Sequence, residues 1–584
     1  GRAMSLADLR FRQVWAVDFE FKADPGECPV PVCLVAHELI SGVTHRCWGD
    51  DLHAASPPYS VDDDSLFIAY YASAEFGCHL ALGWALPSNV IDLYAEFRAQ
   101  TNGKPTPCGQ GLLGALTFFG EEAIEAQEKD TMRTLILRGA PYSPDEQVAI
   151  LDYCESDVLA LAKLLPHLLP AWLNPVGLGH ALLRGRYAKA VARIEHAGIP
   201  LDGDLLDQLR TNWDSLKDQF IATVDRDYQV YEGRTFKQLR FTEYLKKHGI
   251  PWPRLPSGRL ALDEDTFSEQ TKSFPKLRPV KELRQATGQL LLHDHAVGGD
   301  GRNRCLLSMF SAKTGRNQPS TTKFVFGLSA WLRGLIKPRP GWGLAYIDWS
   351  QQEFGIAAAL SRDARMLEAY SSGDPYLTFA KQAGAAPADA TKASHAEIRE
   401  QFKACTLAVQ YGMGEEALGR RIGQPTIYAR QLLKLHHQTY RTFWAWSDGV
   451  VDYAHLQRKL WTLFGWQLHL SGKINDRSVR NFPMQANGAE LLRLACCLGT
   501  EAGIRIVAPV HDAVLIEAPL DELERASQTM QSIMADASDV VLGGFRLRSD
   551  VKLIRAPERY GDARGESMWT TVMNLLETPC TRKL

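Results

Sequence analysis

No stretch of this chain approaches the roughly 20 consecutive apolar residues of a membrane span. Paired cysteines are missing too: the eleven cysteines, from Cys28 to Cys580, contain no CxxC spacing, and their odd number suits neither a disulfide framework nor a zinc site. A reducing, intracellular setting is the expectation. Charge of one sign is also lacking. A formal net charge of -3 excludes polyanion binding driven by a basic tail, yet leaves room for one basic cleft on an otherwise acidic protein. There is no internal repeat or low-complexity tract, and the sixteen histidines show no metal-ligand spacing. No motif suggests a partner protein, so a monomer is expected.

What remains is a large globular chain of 584 residues, 45% hydrophobic, long enough for roughly three to five domains. Gly1-Arg2-Ala3 ahead of Met4 reads as a short exogenous leader. An apolar strand over Val14 to Phe21 carries Asp18 and Glu20, and helical patterns follow to Leu165. Pro166, Pro170 and Pro175 then predict a domain boundary near residue 170. The segment to about 310 reads as mostly helical. Gly343 to Ile347 predicts a strand ending at Asp348, and Ile504 to Val510 with Val514 to Glu517 predicts a hairpin around Asp512.

The most telling stretch is Arg399, Lys403, Leu407 and Tyr411, spaced four apart. On a helix each such step turns about 40° past a full turn and rises about 6 Å, so two cations and a ring share a face about as long as a triphosphate. Upstream stands Asp348 and downstream His511-Asp512, each acid leaving a strand. Two carboxylates at adjoining strand ends can bridge a pair of divalent cations about 3.5 to 4 Å apart, as nucleotidyl transfer requires. Singly, each feature has a plainer reading: Ser350-Gln-Gln-Glu353 fits a capping box, His511-Asp512 a polar turn, and the cationic helix a solvated face. Their joint occurrence in this order favours the nucleotide site.

These residues resemble the family-A DNA polymerases, typified by bacterial DNA polymerase I and its phage relatives. Asp348-Trp-Ser-Gln-Gln-Glu353 is similar to the first palm motif, Arg399-x3-Lys403-x3-Leu407-x3-Tyr411-Gly412 to the fingers helix, and Val510-His511-Asp512 to the second palm motif. Thr314-Gly315-Arg316 and Arg477-x3-Asn481-Phe-Pro-Met-Gln485 match two further elements. The resemblance implies an α/β fold: an exonuclease-like (ribonuclease H-like) domain over 1–170, then a right-hand polymerase with its thumb over 175–310, its palm over 311–360 and 461–584, and its fingers over 361–460. The chain would then begin at the exonuclease-like domain, without a 5′-nuclease, in the cytoplasm of a bacterium or a phage-infected host.

The same resemblance implies site roles. Asp348, the Trp349 carbonyl and Asp512 hold two Mg2+ ions. Arg399 and Lys403 bind the dNTP triphosphate, with Lys403 protonating the leaving pyrophosphate, and Leu407, Tyr411 and His511 complete the nucleotide site. Glu353 acts as the sugar gate against ribonucleotides. Arg316, Arg477, Asn481 and Gln485 touch the primer–template DNA. Gly355 and Ala513 depart from the pattern, Ala513 removing an auxiliary carboxylate, and Leu407 replaces a common aromatic, which predicts altered dideoxynucleotide discrimination.

Asp18-Phe-Glu20 resembles the DxE motif of 3′-to-5′ proofreading exonucleases, and Tyr153-x3-Asp157 their third motif; two further Mg2+ ions and a water nucleophile are implied. The middle motif departs, with Ser73-Ala-Glu75-Phe76-Gly77 placing Glu75 two residues early as a substitute ligand. An inactive scaffold domain stays open as the alternative, as does a nuclease or DNA-binding protein with a degenerate polymerase module.

Overall fold

The structure, a computed structural model, describes residues 6–122, 126–288 and 296–577; Gly1-Arg2-Ala3, read from the sequence as an exogenous leader, lies outside the described residues. The fold is α/β. The amino-terminal region is built on a five-stranded sheet of β1 (Gln13–Lys22), β2 (Val30–Glu38), β3 (Thr44–Trp48), β4 (Ser65–Ala69) and β5 (Asn89–Asp92). Its spatial order is β3-β2-β1-β4-β5. The first three strands pair antiparallel, and β4 and β5 join β1 in parallel.

Both faces of β1 are covered, which explains its unbroken apolar run. Trp15, Val17 and Phe19 pack with α1 (Ser73–Leu82) and α2 (Leu93–Thr101), while Val14 and Ala16 pack with α3 (Pro144–Leu168). Period-two alternation puts Asp18 and Glu20 on the stripe of Val14 and Ala16, facing α3. A capping box starts that helix: Ser143 Oγ accepts from the Glu146 N–H, and the Glu146 carboxylate accepts from the Ser143 N–H at 2.8 Å. Pro166 is accommodated in its last turn rather than ending it.

The expected break near 170 is a short 3-10 turn, after which α4 (Pro175–Ala197) starts with proline at its first position. This helix packs against both the amino-terminal and the carboxy-terminal regions. Arg184 forks onto buried Glu96 of α2 at 2.6 and 3.0 Å, and Arg186 forks onto Glu501 at 2.9 and 2.8 Å. Two residues on a helix lie about 200° apart, so the two grips are on opposite sides. Gly185 sits where a Cβ would strike the Val90 carbonyl.

The middle segment contributes helices Gly203–Asp225, Gln238–Lys247, Glu264–Ser273 and Arg278–Gly288. The carboxy-terminal sheet consists of β6 (Trp342–Trp349), β7 (Arg505–Val510), β8 (Ala513–Pro519) and β9 (Ser549–Arg555), in the order β7-β8-β6-β9 and antiparallel throughout. Between β6 and β7 run α5 (Gln352–Ser361), α6 (Ala396–Tyr411) and α7 (Asp476–Glu501), and α8 (Leu523–Val541) follows β8. Helix α8 covers one face of β6: Leu523 contacts Gly343, and the Trp349 indole N–H donates to the Met534 carbonyl. Tyr346 and Asp348 therefore project to the other face.

Candidate active site

Each of the two larger sheets carries a cluster of acids. In the carboxy-terminal sheet, Asp348 ends the central strand, and Asp512 lies in the two-residue turn of the expected hairpin. The turn closes because His511 adopts φ +53°, the left-handed conformation such a tight connection demands. The Trp349 N–H donates to the Asp512 carbonyl at 3.3 Å, which ties the two acid-bearing segments together. Burial, and the negative charges of Asp550 and Asp512, push the Asp348 carboxyl up to about 6. Arg316 pairs with Asp512 at 3.4 Å. His511 is exposed at the hairpin tip.

Glu353 lies at the start of α5, its carboxyl raised by burial and by Asp512. The capping-box reading of this segment does not hold. Gln351 precedes the helix at φ +45° with no side-chain cap, and the Ser350 hydroxyl donates instead to Asp550 at 2.6 Å. With Asn481, Glu353 lines a small cleft that Gln410 and Arg480 share. Tyr411 ends α6 close enough to Glu353 and Asp512 for both charges to raise its phenol further, after burial.

Helix α6 stops at Gly412, whose φ of +60° and contact with the Arg477 side chain leave no space for a Cβ. Arg399 is not free on that helix: it pairs with Asp374 and Glu400 at 2.6 Å and lies over the Tyr376 ring. Lys403 is about 6 Å down the same face, 4.0 Å from Glu400 and 6.0 Å from the Tyr376 ring centroid. Leu407 is half-buried below it. On α7, Arg477 is exposed, and Asn481 and Gln485 are half-buried at the same four-residue step. Gly488 lets Gln352 and Arg316 approach α7.

The donors around Asp348 are carboxylate oxygens and, from Trp349, a backbone carbonyl, since its indole is buried away from the site. Hard oxygen donors of this kind suit Mg2+. Two acids held side by side also need a cation to offset their repulsion, so the residues fit the ion.

In the amino-terminal cluster, the half-buried Asp18 and Glu20 of β1 meet the buried Tyr153 and Asp157 of α3. Burial drives both β1 carboxyls up, and neighbouring acids add to it. Asp157 pairs with Lys129 at 3.6 Å. Among the described residues, the donor atoms that converge within 4.8 Å belong to Asp18, Glu20 and Cys154. The Cys154 thiol donates to the Asp18 carbonyl at 3.2 Å, and burial keeps it protonated. Glu75 is buried in α1 with one oxygen unpartnered, and burial and the nearby Asp18 charge raise its carboxyl; like Asp157, it lies outside that 4.8 Å convergence. Asp92 caps α2 and accepts from the Tyr71, Ala72 and Tyr94 N–H groups. Cys154 and Lys129 carried no sequence signal, being single residues on helices with no motif.

Some basic residues of the middle segment are paired with acids. Arg234 pairs with Asp214 and Asp218, and Lys237 with Glu232. Lys272, which the sequence did not single out, lies 5.1 Å from the Tyr411 ring centroid.

Residues 323–554 match DNA polymerase family A. DNA polymerase I of Aquifex aeolicus is 24% identical over 447 residues, covering 69% of this chain and 74% of that protein. DNA polymerase I of Chloroflexus aurantiacus is 24% identical over 378 residues, and the thermostable DNA polymerase I of Thermus thermophilus 26% over 218. Those matches span 39% and 26% of the two proteins, so the chain covers well under half of their length. In fold, the POL domain of Pol1 from M. smegmatis, in complex with DNA primer-template and dNTP, superposes with a TM-score of 0.66 over 96% of each chain at 19% identity.

Proposed function

We propose that this chain is a DNA polymerase of family A, the family that residues 323–554 match, and that it extends a primer along a DNA template with dNTPs by nucleotidyl transfer. The observation that carries this reading is the meeting of Asp348 and Asp512 at one end of an antiparallel sheet, beside the Tyr411 end of the helix bearing Arg399 and Lys403.

Family-A DNA polymerases use divalent metal ions, generally Mg2+. Asp348, Asp512 and the Trp349 carbonyl would hold two such ions here. When bound, Mg2+ lowers the pKa of the primer 3′-hydroxyl and offsets triphosphate charge. The protein supplies the rest. Arg399 and Lys403 orient the triphosphate, and Lys403 delivers a proton to the departing pyrophosphate. Tyr411 stacks beside the new pair. Glu353 fills the volume a 2′-hydroxyl would need, favouring deoxynucleotides. Arg316, Arg477, Asn481 and Gln485 hold the primer–template without reading its sequence. The polymerase acts as a monomer in the cytoplasm. Primer extension with Mg2+ tests the assignment: Asp512→Ala abolishes it, and extension unaltered by that change would overturn the palm site.

A second activity is favoured by the convergence of Asp18 and Glu20 with Tyr153 and Asp157. We read it as a 3′-to-5′ exonuclease in which these acids hold Mg2+ and Tyr153 orients the water. An end-labelled primer on a longer template, with Mg2+ and no nucleotides, is shortened by the wild type and not by Asp18→Ala. A primer left intact by the wild type while extension proceeds would make the amino-terminal domain a scaffold.

A further inference from the structure

Asp348 has two direct cross-strand neighbours, Ala513 on β8 and Asp550 on β9. Residues opposed in antiparallel strands share a face, with Cβ atoms about 4.5 to 5.5 Å apart. The sheet therefore sets a methyl group on one side of Asp348 and a carboxylate on the other. Like charges directly opposite one another destabilise a sheet. Among the described residues no lysine or arginine is ion-paired with either Asp348 or Asp550.

The basic residues nearest in sequence are committed elsewhere. Lys552 donates to the Gly561 carbonyl and lies over the Tyr560 ring, and the Arg548 guanidinium lies over the Tyr370 ring. Asp550 is nonetheless held in place. Ser350 Oγ donates to its Oδ2 at 2.6 Å, and the Ser350 backbone is pinned by two bonds: its N–H to the Arg548 carbonyl at 2.9 Å and its carbonyl from the Tyr370 hydroxyl at 3.0 Å. That hydroxyl in turn accepts from the Arg548 N–H at 2.9 Å. One oxygen of an exposed carboxylate is thus fixed by a buried serine, on the residue directly opposite Asp348.

We propose that Asp550 is a third carboxylate of the polymerase site, which helps hold the divalent cation at Asp348 and occupies the flank opposite the gap at Ala513. The inference rests on the polymerase reading of this sheet. It explains why two carboxylates are built abreast without a countercharge, and why the serine that follows Asp348 orients Asp550 instead of capping α5.

The test measures Mn2+ binding to the protein alone, by counting free Mn2+ from its electron paramagnetic resonance signal, alongside Mg2+ titrations of primer extension. Asp550→Asn is expected to weaken Mn2+ binding by about 10- to 100-fold and to raise the Mg2+ concentration for half-maximal extension in parallel, with primer–template affinity unchanged. Ala513→Glu added to Asp550→Asn restores part of the loss from the other flank. Wild-type Mn2+ binding and Mg2+ dependence in a folded Asp550→Asn protein would overturn the proposal. So would an equal loss in Asp550→Glu, which keeps the charge, because a purely structural role would produce it. A wild-type protein that binds Mn2+ but extends no primer would refute the polymerase reading instead.

Discussion

The guanidinium of Arg316 lies 3.4 Å from the carboxylate of Asp512, so a residue assigned to DNA is in ion-pair contact with one assigned to the cation. Both are about one-third exposed, and such pairs stabilise by less than about 1 kcal/mol. The pair is therefore weak enough to exchange when either partner binds. Arg316→Gln should tighten Mn2+ binding in the absence of DNA by roughly two- to fivefold. It should also weaken primer–template binding and reduce the salt slope by about one. Free-Mn2+ counting and anisotropy at several salt concentrations report the two effects; movement of both in the same direction would contradict the exchange.

The Asp348 carboxyl, raised from 3.8 to about 6, gives a pH dependence with a definite sign. Between those values the native state holds more protons than the unfolded chain, so stability falls as pH rises through that window. Above pH 6 the cost is fully present. The shift corresponds to about 3 kcal/mol, discounted to roughly 1 kcal/mol for a partly exposed group. In divalent-free buffer at pH 7.5, Asp348→Asn should be more stable than wild type by that amount in urea unfolding. The advantage should vanish at pH 4, and Mg2+ should stabilise the wild type more than the variant.

Glu353 is half-buried and close enough to Asp512 for that charge to raise its carboxyl, and in the proposed reading it fills the volume of a 2′-hydroxyl. Glu353→Ala should lower the preference for dNTPs over rNTPs in kcat/KM by roughly 10- to 100-fold, the range that shape alone discriminates for a hydroxyl. Single-nucleotide incorporation with matched dNTP and rNTP measures it. An unchanged preference would place the sugar gate elsewhere.

Gly77 lies in α1, with a helical backbone and no positive φ. A Cβ there would meet only Pro29, at 3.4 Å and 4.0 Å. An acid is therefore sterically admissible where the expected middle motif lacks one. Gly77→Asp should accelerate Mg2+-dependent shortening of an end-labelled strand by about tenfold or more, and Asp18→Ala should cancel the gain. Equal rates for Gly77→Asp and wild type would mean that residue 77 does not reach the Asp18 cluster.

Much of this was legible in the sequence, because the telling signals were local. A strand ending in an acid, a hairpin with His511-Asp512 at its tip, and a four-residue step on a helix are each written within about a dozen residues. Long-range register was not legible. Asp550 stands 202 positions beyond Asp348, and nothing around it announces that β9 will pair with β6 at that level. Side-chain competition was equally hidden: Ser350 could cap a helix or bind Asp550, and only the assembled sheet decides. The prolines near 170 mark where one helix stops and the next starts, but not which regions the next helix packs against.

Helix α4 fixes a length. Because α4 packs on α1 and β5 of the amino-terminal region and on α7 and β7 of the carboxy-terminal region, the two acid clusters share one helix as a mount. A primer end passing from synthesis to shortening would have to do the travelling itself, by unpairing and crossing a constant gap. The toll for removing a base would then be set by how readily the last base pairs melt: a mismatched end frays at once, a matched one seldom.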